Sequence, residues 1–315
     1  MDWHFGWLEK KRKRDGMLGI VESGSSLSFV YGLLQADKLL IKAHQWFEAP
    51  TLSSRQAALQ QFVMTHDLVG VETTYVLNPV EYHLMLMEEP MVAKEEVSQA
   101  IRWLLKDSIN YPIENAIVDT FEMPYLRAKD NTKMVYAVAM DQQVIAKIET
   151  LVKPSGANLK YIDIPELALC NMLNENKALS KGCVLVQLDA YGGKIILCRN
   201  DELCIARTID LKLKNLGENQ ETDNALLETL ALEIQRCFDY LNSVFRQNIQ
   251  NVVVLAPSHL NNAMLKAALS SSLGAEVFLL DWQEWIVFEQ PFDEIENIES
   301  LLAVGALLRQ RQAVV

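Results

Sequence analysis

Apolar residues crowd positions 17–22 and 27–34 and are split by Ser23-Gly24-Ser25-Ser26, a pattern that predicts a β-hairpin closed by a tight turn of small residues. Over 53–66 the spacing becomes helical, with Leu59, Phe62 and Val63 on one face. Residues 75–124 read as strand, helix, strand. Within 93–108, Val97, Ile101, Leu104 and Leu105 share a side, and Tyr111-Pro112 stops the helix because proline removes a backbone donor. Positions 134–140 predict a short buried strand, followed by a helix to 152 and a turn at Pro154-Ser155-Gly156. A strand over 156–164 leads into a helix opened by Pro165, where the missing N–H costs little.

The second half repeats this plan. Strands are expected near 183–189, 194–200 and 202–209, then a polar stretch over 215–224. A long helix follows, carrying Leu226, Leu230, Ile234, Cys237, Phe238, Leu241 and Phe245 at helical spacing. Strands near 252–256 and 276–280 and a helix from Ile298 complete the chain. Two halves that each open with a hairpin and continue into helix–strand units imply an internally duplicated α/β fold.

A length of 315 residues exceeds one ordinary core and suits two lobes around a cleft. The net charge is −12, yet Lys10, Lys11, Arg12, Lys13 and Arg14 cluster in a basic head on an acidic body, which argues against nucleic acid as a partner of the folded part. Cys170, Cys183, Cys198, Cys204 and Cys237 form no CxxC pair and read as small core residues of a reduced, cytoplasmic protein, with neither disulfide nor metal site. His4, His44, His66, His83 and His259 have no metal-helix spacing, and no HExxH or Walker-type loop occurs. Neither a spanning apolar run nor a secretory signal is expected. Asp163, Glu166, Asp189 and Glu233 make a conceivable carboxylate set that only a fold could bring together.

Several segments carry a family likeness in combination. Val135-Tyr136-Ala137-Val138-Ala139 is followed by Ile162-Asp163-Ile164-Pro165-Glu166-Leu167-Ala168-Leu169-Cys170-Asn171, a strand, an Asp and an Ala–x–x–Asn helix. Further on come Glu233-Ile234-Gln235-Arg236 and the Gly-containing Ala303-Val304-Gly305-Ala306-Leu307. In this order they resemble the PilM and MshI proteins of type IV and MSHA pilus assembly, and more distantly the cytoplasmic part of GspL and the FtsA proteins. The resemblance implies an actin-like ATPase fold, a duplicated ribonuclease H-like architecture of two lobes with an inserted small subdomain. It divides the chain into a head (1–15), a first lobe (16–75 and 134–175), an insert (76–133) and a second lobe (176–315, with 216–246 as its smaller helical part).

In that family two small-residue turns let backbone N–H groups approach phosphates, and an Asp in each orients Mg²⁺ and water. The first turn here keeps Gly24, Ser25 and Ser26, but Val21 stands at the family's Asp position and Ser28 at its Lys. Glu22 substitutes for that Asp only after a one-residue shift. The second turn keeps Asp189, Gly192 and Gly193, with Tyr191 where a Gly is usual. Pro257-Ser258 replaces the paired Gly of the adenosine loop. Glu22, Gly24, Ser25, Ser26, Asp189, Gly192 and Gly193 therefore read as a vestigial nucleotide site. No cofactor is expected, ATP with Mg²⁺ being the alternative, and no residue is assigned as catalytic.

Trp3, Phe5, Trp7 and the basic residues Lys10–Arg14 combine aromatic anchors with charge, which suits weak contact with an anionic membrane surface. The resemblance implies an adaptor at the cytoplasmic face of the inner membrane. It would capture the N-terminal tail of a bitopic PilN- or MshJ-like protein beside the insert and relay contact with the assembly motor ATPase. The rival expectation is an actin-like ATPase whose nucleotide state regulates assembly, and a filament-forming relative is a third.

Overall fold

A computed structural model describes residues 15–35, 38–127, 131–176, 179–188, 193–200, 202–209, 220–245, 251–256, 262–280, 286–289 and 298–309. The chain begins with β1 (Met17–Ser23), β2 (Ser26–Gln35) and β3 (Lys38–Glu48), then α1 (Leu52–Thr65) and β4 (Glu72–Val76). Next come β5 (Tyr82–Glu88), α2 (Val97–Leu104), β6 (Ala116–Arg127), β7 (Lys133–Asp141), α3 (Gln142–Val152), β8 (Asn158–Asp163) and α4 (Pro165–Asn174). The second half holds β9 (Cys183–Leu188), β10 (Gly193–Arg199), β11 (Glu202–Ile209), α5 (Gln220–Phe245), β12 (Asn251–Leu255), α6 (Asn262–Leu273), β13 (Glu276–Leu279), β14 (Ile286–Phe288) and α7 (Ile298–Leu307).

Local chemistry accounts for several boundaries. Thr51 caps α1, its hydroxyl accepting from the Ser54 N–H while the Ser54 hydroxyl accepts from the Thr51 N–H. Asp141 caps α3 through the Gln143 N–H at 2.9 Å. Pro165 occupies the first turn of α4 as expected, and Gly156 ends the preceding turn at φ +80°, a conformation that favours glycine.

The duplication is visible in the pairing. One sheet has the order β14-β3-β2-β1-β4-β8, the other β11-β10-β9-β12-β13. Each opens with three antiparallel strands and continues with two parallel ones; β14, parallel to β3, is an addition to the first. Successive residues of β1 point to opposite faces. Leu18 and Ile20 join Leu27, Phe29, Leu59 and Phe62 in one core, the rings of Phe29 and Phe62 lying 5.2 Å apart. Met17 and Val21 join the other core, with Val30, Ile41, the second-lobe strands and α7. Burying each such side chain is worth about 1.5–3 kcal/mol.

The two connecting helices α4 and α7 cross at backbone distance. A Cβ on Gly305 would stand 2.2 Å from the Ala168 carbonyl oxygen, and one on Gly19 would stand 2.2 Å from that of Ala303. Small residues are thus required where α7 is wedged between β1 and α4.

A third, antiparallel sheet, β5-β7-β6, carries α2 on one face through Val97, Ile101, Leu105, Val135, Ala137 and Ala139. Its central strand, β7, is the one expected over 134–140. Leu104 differs from the sequence expectation: it is 60 % exposed, because α2 ends there and the chain turns away. Neither β3 nor β14 is anticipated by the apolar pattern, since the exposed second half of β3 and the three-residue β14 carry little periodicity.

The cysteine reading needs correction. Cys170 of α4 and Cys198 of β10 form a disulfide, their Cα atoms 5.5 Å apart although 28 residues separate them in sequence. Spacing offered no sign of it because the packing of α4 on the second sheet creates the proximity. Cys183, Cys204 and Cys237 are free and buried, and burial pushes the thiols of Cys183 and Cys204 up to about 12. Among the described residues, no helix is long and apolar enough to cross a membrane.

Candidate functional site

The turn between β1 and β2 is where a first phosphate loop would lie. Gly24 has φ +55° and faces open space, and the Ser26 hydroxyl donates to the Ser23 carbonyl at 2.7 Å. Glu22, the candidate acid, is buried and engaged on every side. Its Oε1 accepts from Arg55 Nη1 at 2.5 Å and Lys147 Nζ at 2.8 Å, and its Oε2 from the Tyr75 hydroxyl at 3.2 Å. Arg55 also donates to the carbonyls of Gly24 and Ala49, so one guanidinium closes the turn upon α1. Lys147 reaches on to Glu81 at 2.8 Å. Burial pulls the Lys147 ammonium down, but its hydrogen bonds to Glu22 and Glu81 outweigh this and hold it above the ordinary lysine value.

The face decides what Glu22 can do. Strand alternation places it with Leu18 and Ile20 toward α1 and α3, whereas Val21, at the family's Asp position, lies in the core shared with the second lobe. A one-residue shift therefore moves the carboxylate to the opposite face of the sheet. Ser28, at the expected Lys position, is fully buried and shares a 2.9 Å hydrogen bond with Ser300 of α7. In the second turn Gly193 is described, and a Cβ there would meet the Gln187 carbonyl oxygen at 2.5 Å. Asp189, Tyr191, Gly192, Pro257 and Ser258 lie outside the described residues, as do Trp3, Phe5, Trp7, Lys10, Lys11, Arg12, Lys13 and Arg14.

The conceivable carboxylate set divides among separate partners. Glu166 accepts from the Tyr82 hydroxyl at 2.5 Å and from Lys194, tying α4 to the small sheet and to the second lobe. Asp163 pairs with Arg309 at 3.0 Å; burial raises its carboxyl above the usual value, and the Arg309 charge opposes that shift. Glu233 pairs with Arg236 on the exposed side of α5.

A groove of about 1030 Å³ opens beside these ties, between β8 and β6. Each of these strands ends its sheet among the described residues, so the groove runs between two strand edges. Its apolar lining includes Ile117, Phe121, Met140, Ile145 and Leu167, and α4 contributes Asn171 and Asn174. The β10–β11 hairpin closes the wall with Asn200, Glu202 and Leu203. Lys160 and Arg309 flank the Tyr161 ring at 5.2 Å each, while Asp119, Glu122, Glu175 and Glu202 are carboxylates of the lining. The buried Oδ1 of Asn174 has no hydrogen-bond partner, an acceptor facing an unmet desolvation cost of about 1–3 kcal/mol. Sequence reasoning pointed to 76–133 as the stretch to search; it did not find the α4, β8 and hairpin residues, which meet only through tertiary packing.

No family model matches the chain, and no curated protein matches it in sequence. Solved structures do match in fold. A structure described as a PilM–PilN type IV pilus biogenesis complex superposes with a TM-score of 0.70 at 16 % identity, covering 94 % of this chain and 98 % of that one. The cytoplasmic domain of EpsL, an inner-membrane component of the type II secretion system of Vibrio cholerae, gives 0.50 at 13 % identity, with 96 % of each chain covered. A Bacteroides thetaiotaomicron protein described as having an actin-like ATPase fold and unknown function gives 0.51 at 13 % identity over 96 % and 99 %. Nearly full coverage in both directions with little sequence identity makes the likeness one of architecture: this chain has the actin-like ATPase fold, in a form similar to that of the PilM–PilN structure.

Proposed function

We propose that this chain is an adaptor of a type IV or MSHA-type pilus assembly machine, and that the groove between β8 and β6 holds the cytoplasmic N-terminal tail of a bitopic, PilN- or MshJ-like inner-membrane protein. The observation that carries the reading is the groove itself, with two strand edges, an apolar floor and the unmatched Asn174 carbonyl. An extended peptide would satisfy these together, through main-chain hydrogen bonds to a strand edge, apolar anchors in the floor and an N–H donor for Asn174. The description of a structural neighbour as a PilM–PilN complex supports a PilN-like protein as the partner.

In this reading the first nucleotide turn is a structural joint, because Arg55 and Lys147 already neutralise Glu22. The basic, aromatic head would add peripheral contact with the inner membrane, and an outer face of the molecule would meet the motor ATPase. Calorimetric titration of the full chain with a synthetic tail peptide, with and without Mg-ATP, tests the proposal. Peptide binding that is indifferent to nucleotide supports it. Absence of peptide binding overturns it, and tight Mg-ATP binding abolished by Asp189→Ala favours the nucleotide-regulated alternative.

A further inference from the structure

We propose that the Cys170–Cys198 disulfide is a redox control on the groove, such that its reduction loosens the wall formed by α4 and the β10–β11 hairpin and weakens peptide binding. This rests on the reading of the groove as a peptide site. Cys170 immediately precedes Asn171, with Asn174 one turn further along α4; Cys198 lies two residues before Asn200, with Glu202 and Leu203 just beyond. All five neighbours line the groove, so one covalent bond joins the two elements that make this wall.

The attachment point on the hairpin is a weak place in its ladder. The β10–β11 register shifts between Leu197 and Cys198, and Asn200 turns the chain with φ +46°, a conformation uncommon outside glycine. Without the covalent tie, α4 and this end of the hairpin lose their one covalent link, and the hairpin end is held by its pairing with β9 up to Cys183, by the Asn200 N–H donating to the Ser180 carbonyl at 2.7 Å and by the packing of Leu203 and Cys204. The opposite end of the wall keeps the Lys194–Glu166 ion pair, so reduction acts on the groove end and leaves the joint between lobes in place.

Reduction of the bond falls to an external reagent. Cys183, Cys204 and Cys237 are buried with raised thiol values, which starves the interior of a thiolate able to attack the disulfide. An external dithiol completes the reaction. Its thiolate attacks one sulfur, giving a mixed disulfide and releasing the other cysteine as thiolate; its second thiol displaces the first cysteine. The reductant leaves as a disulfide and the protein gains two electrons and two protons as two thiols. Cys170 and Cys198 are each 1 % exposed, so attack requires local opening of the wall. A peptide touching both sides opposes that opening and so slows reduction, and at equilibrium linkage is reciprocal: a peptide that binds the disulfide form more tightly makes the bond harder to reduce by the same factor.

The test uses the full chain purified without reductant. Thiols titrated with a maleimide in denaturant should number three before and five after treatment with a phosphine reductant. Binding of a fluorescent synthetic peptide, carrying the N-terminal tail of a PilN-like protein, should weaken about tenfold on reduction. Cys198→Ser should behave like the reduced protein, and hydrogen exchange should rise over 170–174 and 198–205. The peptide should in turn slow reduction by dithiothreitol. Five thiols before treatment, or equal affinity in both redox states, overturns the proposal; reduction of the unaltered chain keeps the test valid if the variant folds poorly. Failure of the peptide to bind in either state overturns the groove reading and redox control of binding with it, whereas thiol count and hydrogen exchange separate that result from failure of the disulfide alone.

Discussion

The β1–β2 turn and the β8–β6 groove are both places where an actin-like fold can meet a ligand, and they have been left in opposite states. At the turn every polar group of Glu22 is consumed internally, by Arg55, Lys147 and Tyr75. At the groove two strand edges face a space of about 1030 Å³ and the Asn174 carbonyl remains unmatched. A saturated polar network stabilises the native state and gains little from a further partner, whereas an unmatched one is relieved by a ligand. The difference teaches that ancestry alone does not locate a binding site; the hydrogen-bond inventory of each candidate does.

The largest effect should come from Gly305→Ala, which leaves both candidates chemically intact but disturbs their common support. The new methyl group would collide with the Ala168 carbonyl, a backbone atom with little freedom to move. A loss of about 3 kcal/mol is expected, read as a lowered denaturation midpoint and a loosened α4–α7 crossing in hydrogen exchange.

Next comes Glu22→Gln, which strips the turn of the charge that Arg55 and Lys147 oppose. Both cations keep other acceptors, so the expected cost is about 2 kcal/mol in chemical denaturation, with tail-peptide affinity unchanged. A Glu22→Gln variant that retains full stability, or that loses peptide binding while folded, would dissolve the contrast between the two regions.

At the groove, Ile117→Asp places a charge on a side chain already 38 % exposed, so folding should survive while peptide affinity falls more than about tenfold. Asn174→Ala should act in the same direction but less, about fivefold, and should leave stability unchanged or slightly raised because it removes an unmatched buried acceptor. Calorimetry of both variants beside the unaltered chain checks these outcomes.

The smallest effect near neutral pH becomes prominent in alkali. Tyr75 at the turn and Tyr82 at the joint are held well above the ordinary tyrosine value, first by burial and then by the charges of Glu22 and Glu166 respectively. A raised folded value means that this stability is complete below about pH 10, the ordinary value, and is lost as pH climbs from there toward the folded values. Lys147, also raised, acts in the same sense from its own ordinary value upward. The part of the tyrosinate absorbance that Tyr75→Phe removes should therefore appear together with loss of far-UV circular dichroism, and Tyr75→Phe should shift the alkaline midpoint upward. Ionisation of Tyr75 itself in a still-folded chain, read as the difference between the unaltered chain and Tyr75→Phe, would contradict this account.

Much of the secondary structure was legible, because its signals are local. The apolar runs around Ser23-Gly24-Ser25-Ser26, the helical spacing of Leu59, Phe62 and Val63, and the proline at the start of α4 each act within a few residues, and each element is present. The small-residue turn at Gly24 was legible, but the reading of Glu22 as reached by a one-residue shift did not include that one residue along a strand is a change of face. Cys170 and Cys198 were read as unpaired for a related reason: the distance between their Cα atoms is set by how α4 lies on the second sheet, which no spacing encodes.

Sequence by itself determined the duplicated order of strands and helices, the apolar side chain at Val21 and the small residues at Gly19 and Gly305 that permit close backbone approach. These depend on side-chain size, periodicity and turn chemistry, properties that adjacent residues carry with them. Tertiary structure alone decided that Arg55 and Lys147 close upon Glu22, that β8 and β6 line one groove, and that the Oδ1 of Asn174, a residue of its wall, is buried without a partner. These are encounters between segments tens to more than a hundred residues apart, and they exist only once burial of the cores has fixed where each sheet edge and helix must lie.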